Sequence, residues 1–510
     1  MRIFSTSAVK TVDALTVQYE PITPFELMER ASCVLVRAVV EFFPACRHFA
    51  IFAGTGNNGG DGLVMARLLI EKGCMVDVYM YDSSARLSAC CADAYEKLIE
   101  ERDIIIHNIS SEGFPVLSDD IVIIDALFGS GLSRPLEGQY VSIVRDINLS
   151  PCKVAAVDVP SGLMGEENAH ANEQNVVCAD VTFTLQFPKL AMLFADNERF
   201  VGRLRVLDIG LSKRAMNETE PIVCTIERED LLPLLTARRR HSHKGDYGRA
   251  LLVAGSLGMA GASVLAARAA MRSGVGLLTL HVPRCNNTIV QTTLPEAMTS
   301  LDICDTHITS LPSVGRFNAV AVGPGLATDE STAVALLQLM DSNVPVVMDA
   351  DALNILSMHP DWFYKIPAGS VITPHPGEFA RLTGCATGGY EALQRARDFA
   401  ERYKVCVVLK GAYTAVISPN DDCSFNHCGN AGMATGGSGD VLTGILLALL
   451  AQGHTAYDAA RLAVYIHGKA GNEAAAAKGM RSMIAGDIVE ALPSAWLSLE
   501  KDLQYWNSDF

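Results

Sequence analysis

Two glycine-rich stretches set carboxylates where backbone N–H groups gather. The first is GTGNNGGDG, Gly54 to Gly62. It holds the G-x-G-x-x-G spacing, follows a strand-like run at 48–54 and opens a helix-like run, the context of a dinucleotide-binding turn. Such a turn offers its N–H groups to a pyrophosphate at a helix N-terminus. Asp61 opposes that use. At about 5 Å and an effective dielectric near 20, each like-charge contact costs roughly 3 kcal/mol. Asp82 ends the next strand, where a ribose-binding acid belongs, but the paired asparagines and Asp61 are foreign to the fingerprint. Asp61 reads instead as a hydroxyl acceptor near the helix start, or as a helix N-cap. A hydride-transferring oxidoreductase is therefore disfavoured.

Further loops follow at strand ends. IIDALFGSGL places Asp125 there, ahead of a Gly129-Ser130-Gly131 turn; AAVDVPSGL places Asp158 and Ser161; TFTLQFPKL ends near Lys189. Asn58, Asp125 and Ser161 are hard oxygen donors on separate loops, suited to an alkali or alkaline-earth cation. Taken singly, each is an ordinary capping residue.

The second stretch is NAGMATGGSGDVLTGILLALLAQG. Gly436, Gly437 and Gly439 let backbone N–H groups turn toward an anion at the start of a long apolar helix. Asp440 reads as the first residue of that helix. An anion hole beside a carboxylate is what phosphoryl transfer to a hydroxyl requires, with Asp440 accepting the hydroxyl proton. The competing reading makes Asp440 a charge partner of the helix terminus. Lys410 to Thr414 follow a strand and suit a nucleotide cover. GPGL (323–326) and TPHPGE (373–378) also sit at strand ends. His467 reads as helix packing, and His241 and His243 fall in a basic linker with no assigned role.

These loops need a scaffold of strands and helices. Apolar strand-like runs alternate with amphipathic helices through the first half, which means a mostly parallel sheet covered on both faces. The pattern lapses in a polar, charge-dense stretch, so a boundary falls near 212–228. A second βα series then starts at 249, with 405–417 read as one strand region, and ends in helices at 439–500. The expected organisation is two α/β domains, 1–220 and 221–510.

The 510 residues, 49% hydrophobic and 19% charged, suit a soluble protein with sizeable cores. A net charge of −16 argues against nucleic-acid or anionic-membrane partners. The 14 cysteines form no C-x-x-C pair or metal spacing. Neither a secretory leader nor an apolar run of membrane-spanning length is visible. A cytoplasmic location with reduced thiols is expected.

LMERAS (27–32), GNNGGDG, DALFGSGL, DVPSGL and FPK together resemble the NAD(P)H-hydrate epimerase domain across residues 1–212. HKGDYG, GPGL, DADALN (349–354), TPHPGE, LKG and ATGGSGD resemble the ADP-dependent NAD(P)H-hydrate dehydratase across 228–500. The resemblance implies two three-layer αβα domains, a Rossmann-like one followed by a ribokinase-like one. It implies a bifunctional repair enzyme that interconverts the R and S hydrates of NADH and NADPH, then dehydrates the S form with ADP, releasing AMP and phosphate.

In the first domain the resemblance implies hydrate contacts from Asn57, Asn58, Gly59, Gly60 and Asp61. Gly129, Ser130, Gly131, Leu132, Ser133, Arg134, Pro135, Tyr140 and Asp158 complete that set. Potassium falls to Asn58, Asp125 and Ser161, with Asp158 and Lys189 as the acid/base pair. In the second domain it implies hydrate contacts from Ala262, Gly325, His375 and Asp440. Nucleotide contacts fall to Lys410, Gly411, Ala412, Tyr413, Thr414 and Gly439, with magnesium as the accompanying ion. A homo-oligomer acting on small molecules is expected. The rival reading is a small-alcohol or vitamin-precursor kinase joined to a nucleotide-binding scaffold module.

Overall fold

The computed structural model describes residues 1–81, 86–100, 104–168, 173–384 and 388–501. Asp82 lies outside the described residues. The chain forms two compact units, built on Met1–Val223 and on Cys224–Thr387 with Glu391–Phe510. Among the described residues no helix is long and apolar enough to cross a membrane.

Strands of the first part are β1 (Arg2–Ile3), β2 (His48–Ala53), β3 (Met75–Met80), β4 (Ile106–Asn108), β5 (Val122–Ala126), β6 (Lys153–Val157), β7 (Val181–Leu185) and β8 (Arg203–Leu207). Seven of them make one sheet in the order β4-β3-β2-β5-β6-β7-β8. Every pairing in it is parallel. β2 and β5 are apolar apart from His48 and Asp125 because both faces are covered. One face packs under Leu35, Leu63 and Leu69; the other packs under Ile143, Val144 and Ile147. The result is three layers, helices on either side of the sheet.

The helix after β2 spans Asn57–Glu71, so it starts four residues before Asp61. Asp61 is therefore neither at the helix start nor its N-cap, which is Gly56 without a side-chain bond. The glycines inside this helix serve close packing. A Cβ on Gly59 would lie 1.8 Å from the Gly54 carbonyl oxygen, and one on Gly62 would lie 2.7 Å from Ala126 Cβ. The helix start is thereby pressed onto the strand ends.

The second sheet contains β9 (Val223–Thr225), β10 (Arg249–Val253), β11 (Leu277–Val282), β12 (Met298–Leu301), β13 (Ala319–Val322), β14 (Val346–Met348), β15 (Val371–Ile372), β16 (Cys406–Leu409), β17 (Thr414–Ile417) and β18 (Cys423–Asn426). Their order is β9-β18-β17-β16-β15-β14-β13-β10-β11-β12. β17 runs antiparallel to both its neighbours. The region 405–417 is thus two strands joined by the Lys410–Tyr413 turn, not one continuous strand. β9 lies inside the polar stretch expected to be linker; it is short, and its partner β18 is distant in sequence, so no local pattern marks it.

The helix Ser438–Ala451 is buried over twelve of its residues and starts at Gly437, whose φ of 90° only glycine adopts freely. Asp440 is its third residue rather than its first. It crosses the helix Ala260–Arg272 closely enough that a Cβ on Gly444 would lie 2.0 Å from the Ala266 carbonyl oxygen. Gly444→Ala gains about 1 kcal/mol of helix propensity but forces backbone apart in a close-packed seam. The expected net loss is about 1–3 kcal/mol. Tryptophan fluorescence in urea checks it, because Trp362 and Trp496 lie in this unit. An unchanged midpoint would remove the close-approach argument.

Two candidate active sites at strand ends

In the first unit, β5, β6 and β7 end side by side and deliver Asp125, Asp158 and, one turn further on, Lys189. Asp158 sits at φ +63°, a left-handed conformation that costs an ordinary side chain roughly 1–3 kcal/mol. The turn aims its carboxylate at Lys189, with which it forms an ion pair while both side chains are at most 10% exposed. The Thr184 hydroxyl and Leu185 N–H donate to the same carboxylate at 3.4 and 3.2 Å, and Ser130 N–H at 3.4 Å. Burial alone would raise the Asp158 pKa. The Lys189 ammonium and these donors outweigh it, so Asp158 stays below the usual carboxylate range.

Two more carboxylates belong to this cluster. Asp61 is buried and meets the Ser32 hydroxyl at 3.2 Å. Burial, then the charge of Asp158, push its pKa well up, so it tends to hold a proton. Asp13, on the helix Thr6–Tyr19, is raised to about 6 by burial and then by Asp158. Asp13 and Ser32 carried no signal in the sequence, because neither stands in a glycine-rich motif or at a strand end.

Asp125 is wholly buried and meets Ser161 twice, through its hydroxyl at 2.6 Å and its N–H at 2.8 Å. Burial raises Asp125 to about 6. Asn58 stands across the loop: a Cβ on Gly129 would lie 2.9 Å from its Oδ1. Its buried Nδ2 has no hydrogen-bond partner among the described residues. Of the rest of the expected loop, Ser133 and Arg134 are exposed and Leu132 is partly buried. The Tyr140 ring packs at 4.7 Å on Phe128 and 4.8 Å on Tyr81.

In the second unit, Lys410 closes β16 and reaches across to Asp349 at the end of β14, 2.9 Å away. The Thr443 hydroxyl donates to the other Asp349 oxygen at 2.7 Å. Burial would lower Lys410, but Asp349 and then Glu378, 3.9 Å away, raise it; Asp349 is held low by Lys410 against its burial. Gly439 lies on the same pair, since a Cβ there would be 3.4 Å from Lys410 Nζ and 3.6 Å from Asp349 Oδ2. Ala350, at φ +48°, turns the chain between Asp349 and Asp351.

Asp440 forms no ion pair among the described residues, and Lys410 acts on it only after burial and Asp349. Burial, then Asp349, lift it to about 7. His375 caps the helix Pro376–Thr383, its Nδ1 accepting from Gly377 N–H at 3.0 Å, which leaves Nε2 toward Glu378 at 3.5 Å. Gly325 and Ala262 approach each other: a Cβ on Gly325 would lie 3.1 Å from Ala262 Cβ. Gly411 and Ala412 are exposed in the turn, which the Thr414 hydroxyl closes by donating to Gly411 O at 3.0 Å. His467 packs in a helix and meets Ser438 Oγ at 3.2 Å. Asp349 and Glu378 were not singled out in the sequence, though Asp349 carries the same mark as Asp125, a carboxylate ending an apolar strand.

Each unit therefore presents an α/β carboxyl-edge site with a lysine paired to a buried aspartate and a glycine-opened helix start. The class is an α/β protein with one candidate active site at the sheet edge of each unit. The model described as NAD(P)H-hydrate dehydratase matches residues 250–494, and that of the YjeF-related protein N-terminus matches 24–191. The bifunctional NAD(P)H-hydrate repair enzyme of Moorella thermoacetica is 34% identical over 99% of this chain and 98% of its own. That of Escherichia coli is 36% identical over 92% and 89%. A solved ADP/ATP-dependent NAD(P)H-hydrate dehydratase from Bacillus subtilis, co-crystallized with ATP/Mg2+, aligns at 32% identity and TM-score 0.47 over 55% of this chain and 99% of that one. The chain belongs to the family of bifunctional NAD(P)H-hydrate repair enzymes.

The electrostatics of the second site are open to titration. The Asp440 carboxyl should ionise with a midpoint near 7, its neutral form prevailing below. Asp349→Asn removes a like charge and frees Lys410, so the midpoint should fall. Carboxyl carbon NMR on labelled protein reads both values; a midpoint that stays put or rises in the variant would contradict this account.

Proposed function

We propose that the two activities divide between the units and that the residues described above carry them. The first unit, 1–220, interconverts the R and S hydrates of NADH and NADPH. The second, 221–510, phosphorylates the ring hydroxyl of the S hydrate from ADP, giving AMP, after which phosphate leaves and the nicotinamide ring is restored. The observation that carries the second assignment is Asp440. A base works best with a pKa near the operating pH, and Asp440 is raised to about 7 at the start of a glycine-opened helix.

In that reading Asp440 takes the hydroxyl proton. The N–H groups that open the helix Ser438–Ala451 hold the transferring phosphoryl group. Lys410 to Thr414 cover the nucleotide, with Lys410 placed by Asp349. His375, Gly325 and Ala262 bound the hydrate. Among the described residues no three His, Cys, Asp or Glu side chains converge as a metal cage. Both Asp349 oxygens are already engaged. A magnesium ion would therefore arrive with the nucleotide rather than be held in a cage of side chains. When bound, that ion neutralises phosphate charge.

In the first unit the donors fit potassium. Asp125, Ser161 and Asn58 offer a carboxylate, a hydroxyl and an amide oxygen, hard ligands for an alkali cation. When bound, potassium supplies a positive charge against the buried Asp125. The hydrate contacts are proposed from Asn57 to Asp61 and Gly129 to Pro135, with Tyr140 beside them. Asp158 and Lys189 are the proposed acid/base pair, on the strength of their burial and shared bonds.

Two full-length variants test the division. Asp440→Asn should lower hydrate-to-nicotinamide conversion with ADP by about 10² to 10⁴ and leave R-to-S exchange intact. Asp158→Asn should do the reverse. Conversion is read at the reduced-nicotinamide absorbance band, exchange by chromatography of the epimers. Loss of both activities in either variant, with the fold kept, would break the division. A phosphorylated alcohol accumulating in place of free phosphate would favour the small-alcohol kinase reading.

The cation has its own test. Asp125→Ala should remove potassium dependence and weaken hydrate binding together. Rubidium anomalous scattering in crystals checks the position, and a peak only elsewhere would overturn it.

A further inference from the structure

We propose that Asp13 is a catalytic residue of the first unit, the group that takes and returns the hydroxyl proton during epimerisation. This rests on the epimerase reading above. Asp13 lies before the matched segment 24–191, and no motif in the sequence points to it.

The placement of the helix Thr6–Tyr19 carries the proposal. Its first turn is tied down by Thr6, whose hydroxyl donates to Glu166 at 2.8 Å. Gly165 lies between that turn and the Lys189 stem: a Cβ there would be 2.5 Å from Thr6 Oγ1 and 3.6 Å from Lys189 Cγ. No side chain larger than hydrogen fits at 165. Asp13 is seven residues after Thr6, two helical turns, so it shares the face that Thr6 presents to Lys189. Val12 and Thr16 beside it are fully buried, and Val12 belongs to the same small core as Phe187, two residues before Lys189. The helix is thereby clamped with Asp13 over the ion pair.

The carboxylate itself has no fold-holding job. It is half-buried, and among the described residues nothing donates a hydrogen bond to it. The charged groups it feels are Asp158 and Lys189, and Asp61 feels it in turn. Glu166 stands at the start of the same helix, engaged with Thr6. Two carboxylates and one ammonium around a polar side chain with free lone pairs make a proton-transfer site, whereas a structural aspartate would be capped or paired.

The two hydrates differ at one ring carbon, which bears the hydroxyl and is bonded to the ring nitrogen. Asp13 takes the hydroxyl proton as the carbon–nitrogen bond breaks and the carbon becomes an aldehyde. The ring nitrogen takes a proton from the Lys189 ammonium, so Asp13 adds a third group to the Asp158–Lys189 acid/base pair, in which Asp158 holds the Lys189 proton through their ion pair. Rotation about the neighbouring carbon–carbon bond and reversal of both transfers close the ring on the opposite face. Protons and electrons balance, and no co-reactant enters.

The test uses the full chain with purified R hydrate and no ADP, the epimers being separated by chromatography. Asp13→Asn should lower the exchange rate by about 10² to 10⁴, with KM within a few-fold of the parent. Conversion of S hydrate with ADP should be unchanged. Asp13→Glu, which keeps a carboxylate on the same face, should restore at least tenfold of the lost rate. Melting at pH 8 should not fall in Asp13→Asn, because the raised pKa means that the charged form is held at a cost to folding. Near-parental exchange in Asp13→Asn, or a glutamate variant no better than the asparagine one, would overturn the proposal. Absence of exchange by the parent protein would instead sink the epimerase reading.

Discussion

Each unit sets one lysine against one buried aspartate at the carboxyl edge of its sheet, and both sites depend on that pairing. An ammonium and a carboxylate taken out of water each cost several kcal/mol, which only close geometry and further donors offset. Asp158 meets Lys189 with help from Thr184, Leu185 N–H and Ser130 N–H. Asp349 meets Lys410 with help from Thr443. Removing one partner of such a pair leaves a bare charge and typically costs about 3–5 kcal/mol. The pair also sets the state of its neighbours. Once one aspartate is held ionised, the next carboxylate cannot ionise easily. Burial first, and then the charge of Asp158, raises Asp61 and Asp13, as burial and then Asp349 raise Asp440.

Backbone strain is placed where the pairs are. Asp158 and Ala350 take left-handed φ values at the ends of β6 and β14. A non-glycine residue holds that conformation only when its surroundings over-determine it. In the first unit the side chain at the strained position is itself the paired aspartate; in the second, the strain falls one residue later and parts Asp349 from Asp351. Glycines do the complementary work. Gly59 and Gly62 bring a helix start against strand ends, and Gly444 brings the helix behind Asp440 against its neighbour.

The alternation of apolar strands and helices made both α/β units legible, as did the glycine-rich stretches and the acids that end strands. Some elements were not. β9 is three residues long and pairs with a strand some two hundred residues away, so nothing local announces it. The turn at Lys410–Tyr413 reverses the chain within one apolar run, and only the antiparallel register of β17 reveals it. Asp61 looked like a helix-start residue because its glycines looked like a turn. They are helix residues kept small by contact with Gly54 and Ala126, so Asp61 is carried into the interior.

By itself the sequence determined which residue types stand at the strand ends, because hydrophobic runs bounded by glycine, aspartate and serine mark those ends wherever the sheet forms. It determined the two glycine-opened helix starts for the same local reason. Only the tertiary structure decided which carboxylates share one field. Asp13, Asp61, Asp158 and Lys189 come from a helix, a second helix and two strand ends, and Asp349, Lys410 and Asp440 are likewise distant in sequence. Burial and Coulomb coupling depend on distance in space, and sequence spacing does not encode it. Which aspartate stays charged, which holds a proton and which sits between was therefore decided by packing.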